Sequence, residues 1–181
     1  MPYSKLKEED QAATIKNIKP FELSKVTDNE TALFYINSQN VKEVQSTLKD
    51  KDDRLFIIFF NWWCPSFGEK RERIVNLVES NPNVTPLYIT SDDFVYYRYY
   101  QEGYQKKLNA DIYMIDVMKH GNGKRNPHKR QEPFVKDICP ECVELTGFPT
   151  LIVFDSDEKL LFNSTRLDSL EYILLQASLK P

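Results

Sequence analysis

Hydrophobic positions along the chain change their spacing from block to block. Leu55 to Phe60 (LFIIFF) is apolar without a break, the pattern of a strand covered on both faces. From Pro65 to Ser80 the spacing turns helical. Ile74, Val75, Leu77 and Val78 make an inner face, and Glu69 to Arg73 make a solvated outer one. Proline suits the first helical position, and the NPN at 81–83 stops the helix. Upstream, a short strand is expected near TALFYI, followed by an amphipathic helix in VKEVQSTLKDK with Val41, Val44 and Leu48 on one face. Downstream, VTPLYIT reads as a strand. SDD caps a predicted helix, FVYYRYYQEGYQKKL, and DIYMIDV reads as a further strand. Residues 118–133 (MKHGNGKRNPHKRQEP) read as a flexible, locally basic loop. FVKDICPECVELTG reads as a short helix closed by Gly147. TLIVFD and KLLFN pair through the turn SDE, and LDSLEYILLQASL closes the chain as a helix with Leu167, Leu170, Ile173 and Leu174 inside. This order predicts an α/β fold with a mixed central sheet flanked by helices. Residues 1–30 are polar and read as an N-terminal arm, leaving 31–181 as the folded domain.

Composition narrows the function classes. At 181 residues one domain with one core is expected. A net charge of -3 gives no footprint for nucleic acid or an anionic membrane. No apolar run is long enough to span a bilayer, and MPYSKLKEEDQAATIKNIKP has no apolar core of a signal peptide. The default expectation is therefore a soluble, cytoplasmic protein, or an exported, periplasmic one if a leader has been removed. Ten Tyr, eleven Phe and two Trp point to a well-filled core or an adhesive surface. Tyr96, Tyr97, Tyr99, Tyr100 and Tyr104 divide between the two faces of one helix. The net charge argues against a stacking platform for nucleic acid there. Lys119, His120, Lys124, Arg125, His128, Lys129 and Arg130 read as a solvated basic loop rather than a patch for an acidic partner.

Three cysteines is an odd number, so at least one thiol stays free or pairs outside the chain. Cys64 stands where the buried strand meets a helix start. Unpaired N–H groups and the helix dipole favour a thiolate at such a point, and Trp62 and Trp63 supply an apolar platform beside it. The other reading of Cys64 is a small buried core residue. Farther on, GFPT places Pro149 just ahead of an apolar strand. A proline there belongs at the strand's first residue or an edge, and a cis Phe148–Pro149 bond suits it.

Taken together, LFIIFF, the WCPS at 63–66 opening a helix, GFPT at 147–150, LIVF, a hairpin and a terminal helix resemble the thioredoxin-like superfamily. The resemblance covers roughly residues 41–178. It implies that the aromatic-cysteine motif and the cis-proline loop lie side by side as a redox and client-binding site. Cys64 would then be the catalytic thiol, and Trp63, Pro65, Ser66, Phe67, Phe148, Pro149 and Thr150 would be motif and partner-binding residues. DDFVYYRYYQEGYQKKLNADIYMIDV looks like the helix-plus-strand insertion that exported thiol-disulfide oxidoreductases and peroxiredoxin-type relatives carry before the cis-proline loop.

Two departures alter the chemistry. The family's second cysteine, three residues after the first, is Phe67 here, and its buried carboxylate in the preceding strand falls at Ile58. The losses agree, because with no second thiol there is nothing to deprotonate and an unpaired buried carboxyl is costly. Cys139 and Cys142 form a Cys-x-x-Cys pair away from the usual motif position. They read as an accessory disulfide, as a thiol pair exchanging with Cys64, as plain reduced thiols, or as half of a zinc set with His120 and His128. The expected function is thiol-disulfide exchange through Cys64 alone on a protein or small-thiol partner, resolved by an external thiol or by Cys139 or Cys142, with no cofactor. The alternative from a different class is a catalytically degenerate thioredoxin-fold binding or adaptor module. A zinc-stabilised scaffold is the third reading.

Overall fold

The computed structural model describes residues 19–20, 33–61, 63–92, 107–116, 119–120, 128–142 and 147–180. The described elements in chain order are β1 (Lys19–Pro20), β2 (Leu33–Ile36), α1 (Ser38–Gln45), β3 (Arg54–Phe60), α2 (Pro65–Glu79), β4 (Val84–Thr90) and β5 (Ile112–Ile115). They continue with α3 (His128–Ile138), β6 (Thr150–Asp155), β7 (Leu160–Ser164) and α4 (Ser169–Ser178). The described strands form one seven-stranded sheet in the order β1-β2-β5-β4-β3-β6-β7. The first five strands of that order are parallel, while β6 runs antiparallel to β3, and β7 antiparallel to β6.

The unbroken apolar run of β3 follows from its place between β4 and β6, where all seven of its residues are buried. Its side chains alternate between two cores. Phe56, Ile58 and Phe60 meet Phe67, Ile74 and Leu77 of α2 and Leu175 of α4 on one side of the sheet. Leu55, Ile57 and Phe59 meet Val41 and Val44 of α1 and Phe134 and Val135 of α3 on the other. The first residue of β3 closes the far end of the molecule. The buried guanidinium of Arg54 donates to the carbonyls of Ser178 and Lys180 at 3.2 and 3.1 Å, and to those of Lys51 and Asp53 at 2.7 and 2.9 Å. It thereby satisfies carbonyls that the end of α4 leaves without helical partners.

Several boundaries differ from the sequence expectation. The loop expected over 118–133 ends earlier, because α3 begins at His128 and carries Pro133 inside it. What holds those residues is burial: Arg130, Gln131, Phe134 and Val135 all turn inward. Arg130 and His120, read as members of a solvated loop, are both buried. The helix expected to run on to Gly147 stops at Ile138, after which the Cys139 N–H still reaches the Val135 carbonyl at 2.8 Å. The inner face of α4 is also rotated from expectation. Leu175 and Leu179 are buried with Leu167, whereas Leu170, Ile173 and Leu174 are 66%, 60% and 52% exposed. So many leucines in one short helix allow two phases, and the Asp168–Glu171 capping box sets where the helix starts. A capping box at Asn37 and Asn40 likewise starts α1 at Ser38, and Leu48 packs from beyond its end.

The expected arm at residues 1–30 lies almost wholly outside the described residues; Lys19–Pro20, however, pairs with Phe34–Tyr35 as an edge strand, where proline is tolerated. The helix expected after SDD, with its tyrosines, lies outside the described residues except for Lys107 and Leu108, which are helical. The strand after it is β5, inserted between β2 and β4. Among the described residues no helix is long and apolar enough to cross a membrane.

Candidate functional site

The C-terminal ends of five parallel strands lie along one end of the sheet, and the chain there passes from β3 into α2. Cys64 is the N-cap of α2, with extended torsions (φ -80°, ψ 110°), and Pro65 takes the first helical position. The Cys64 N–H donates to the Asn61 carbonyl at 3.1 Å, and its own carbonyl accepts from the N–H groups of Phe67 and Gly68 at 3.2 and 3.3 Å. The cysteine is therefore fixed through its backbone. Its side chain makes no capping bond, is half-buried, and is the free thiol of the chain.

The second half of the site arrives with β6. Phe148–Pro149 is a cis peptide, and the Phe148 carbonyl accepts from Cys64 Sγ at 3.5 Å. The juxtaposition expected from WCPS and GFPT is thus present as geometry. Trp63 stands beside it, 51% exposed, with its ring centroid 6.5 Å from that of Phe148 in an edge-on arrangement. Its indole N–H donates to Asp92 Oδ1 at 2.8 Å, which fixes an exposed aromatic ring by a buried carboxylate. Pro65 is exposed and Ser66 half-buried. Trp62 lies outside the described residues.

Phe67 does not line the opening. It is fully buried and stacked on Phe60, with centroids 4.7 Å apart. Ile58 is buried in the same core. The two positions at which the thioredoxin-like pattern has polar chemistry are here one continuous apolar packing.

Behind the cis-proline loop, on the opposite side of the sheet, lies a polar cluster that the sequence did not reveal. Asn61, Thr90, Ser91, Asp92, Arg130, Gln131 and Thr150 are all buried. The Ser91 hydroxyl donates to Asn61 Oδ1 at 3.1 Å, and Arg130 Nη1 donates to the Asp92 carbonyl at 3.3 Å. Gln131 Nε2 donates to Thr150 Oγ1 at 2.9 Å, and that hydroxyl donates to the Gly147 carbonyl at 2.6 Å. The sequence signal was a lone glutamine at an inward helical position, one turn before Phe134 and Val135, and hydropathy reads such a residue as outward.

Cys139 and Cys142 are both buried and bonded to each other, their Cα atoms 5.2 Å apart. Sulfurs in a disulfide are not thiolate ligands, so the bonded pair is neither the zinc half-site nor the plain reduced thiols, while a disulfide is one state of a pair that exchanges with Cys64. His120 is buried with its ring edge-on to Phe134, centroids 4.9 Å apart, and its Nδ1 is 3.8 Å from Asp137 Oδ2. Burial pushes its proton affinity below the ordinary histidine range, against the opposing pull of Asp137 and Asp116. The side chain of His128 lies outside the described residues. Among the described residues, no three His, Cys, Asp or Glu side chains gather as a metal site needs.

No family model and no curated protein matches the sequence. Among solved structures, the chain is similar to one from Chlorobium tepidum TLS described as a thiol:disulfide interchange protein of the thioredoxin family. The two are 13% identical, with a TM-score of 0.49, over 71% of this chain and 79% of that one. The fold is read from the chain's own geometry: a parallel core strand leading into Cys64, a cis-proline facing that thiol, an antiparallel β6–β7 hairpin and a closing helix. The chain has a thioredoxin-like fold.

Proposed function

We propose that the protein carries out thiol-disulfide exchange on a protein or small-thiol partner through Cys64 alone. One observation supports this most strongly. A free, half-exposed thiol at the start of α2 lies 3.5 Å from the carbonyl that precedes a cis-proline. The sulfur is half-buried, and the cis-proline turn stands beside it where a partner's backbone would lie. In the step, the Cys64 thiolate attacks one sulfur of a partner disulfide. A Cys64–partner disulfide forms, and the other partner sulfur leaves as a thiolate and takes up a proton. A second, external thiolate then attacks the partner sulfur, Cys64 leaves as a thiolate, and a disulfide forms between the partner and the external thiol, so electrons balance without a cofactor. Trp63 and Phe148 would flank the bound partner.

The burial of Phe67 and Ile58 favours a second reading, in which the same groove binds a partner without turning it over. Insulin reduction and scrambled-disulfide refolding, run with wild type and Cys64→Ser, separate the two. Activity in the wild type that disappears in the variant is the expected result. Equal background activity in both leaves the binding module.

A further inference from the structure

We infer that Gln131 is a positioning residue for the Cys64 site, acting through Thr150 to hold the turn that carries Phe148 and Pro149. The inference rests on Cys64 being the reactive thiol. Gln131 is 0% exposed and belongs to α3, not to either half of the motif. The Thr150 hydroxyl has one proton, and it is spent on the Gly147 carbonyl at 2.6 Å. The same oxygen can then only accept, which selects the nitrogen rather than the oxygen of the Gln131 amide to face it, at 2.9 Å. The four residues Gly147 to Thr150 are thus closed on themselves and tied to α3.

From the other side the turn is pressed against Thr165, the residue that follows β7. A Cβ on Gly147 would lie 3.1 Å from Thr165 Cβ and 3.2 Å from the Thr165 carbonyl oxygen, so there is little room to retreat. With Thr165 in front and Gln131 behind, the Phe148 carbonyl has a defined position against Cys64 Sγ. Among the described residues Gln131 Oε1 is buried with no hydrogen-bond partner, so the side-chain bond of this amide is the one its nitrogen makes to Thr150.

The test is native-state alkylation of Cys64 by iodoacetamide at fixed pH, with melting temperature followed in parallel. Gln131→Met keeps length and volume but removes the tie. Freed from Thr150, the turn uncovers the half-buried sulfur, and alkylation rises about three- to tenfold, the equivalent of one net hydrogen bond. Thr150→Val gives a rise of the same size, the two together give no more than either alone, and Thr150→Ser keeps the wild-type rate. An unchanged rate in folded Gln131→Met overturns the inference. So does a rise that merely follows the global unfolding equilibrium when stability is varied with denaturant. Exchange with a peptide disulfide is measured on the same samples. If wild type shows none while alkylation responds as stated, the exchange reading fails and the positioning role stands.

Discussion

The two faces of β3 make opposite arrangements for the same thiol. On the α2 side, Ile58, Phe60 and Phe67 are packed apolar, with the rings of Phe60 and Phe67 stacked. On the α3 side, Asn61, Ser91, Gln131 and Thr150 are equally buried but hydrogen-bonded. The packing at Phe67 and Ile58 is apolar, whereas the polar contacts gather behind the cis-proline loop. Under the proposed exchange, the apolar face offers no second thiol at Phe67, and the polar face holds the turn beside Cys64.

Substitution of the thiol itself removes the most. Cys64→Ser should reduce exchange to background with no large change in melting temperature, because the residue caps α2 through its backbone and not its side chain. Residual exchange in that variant would move the chemistry elsewhere. Next comes the apolar face. Phe67→Cys should lower stability by about 2–4 kcal/mol, since a fully buried ring is exchanged for a small side chain. The same change supplies a second thiol, so the Cys64–partner adduct, followed by mass spectrometry, should be shorter-lived than in wild type. An adduct as persistent as before would show that the missing thiol is not what blocks release.

Trp63→Phe tests the polar side more gently. It removes the indole donor from buried Asp92, and a loss of about 1–3 kcal/mol in denaturant unfolding is expected. The smallest effect concerns pH. Burial lowers the proton affinity of folded His120 from the ordinary value of 6.5, so the unfolded chain protonates first. Stability contributed by neutral His120 is therefore present above about pH 6.5 and declines as pH falls below it. His120→Gln should flatten that part of the melting-temperature profile, and an identical slope in the variant would remove the assignment.

Much of this was readable from the chain because it was written in apolar spacing or in proline. Leu55 to Phe60 announced the central strand, Pro65 the helix start, and Phe148–Pro149 the loop that meets Cys64. What stayed hidden had polar residues in core positions or surplus apolar ones. Gln131 and Arg130 look solvated by composition and are buried only because their hydrogen bonds are made by residues distant in sequence. Leu170, Ile173 and Leu174 look like core and are not, since a helix this rich in leucine does not specify its own phase. The Cys139–Cys142 pairing was one reading among several, because spacing alone does not state oxidation.

Arg54 has a consequence for the order in which the molecule can be finished. It opens the central strand, yet two of its acceptors, Ser178 and Lys180, come 124 and 126 residues later. Until α4 docks, a guanidinium at the core's edge lacks half of the carbonyls it will own, and its burial is unfavourable. The α2 side of the sheet is complete only when the last helix adds Leu175 and Leu179 to its core. The separation in sequence predicts a late contact, and chains truncated before Ser178 are expected to be cut faster by proteases in limited proteolysis than the full chain.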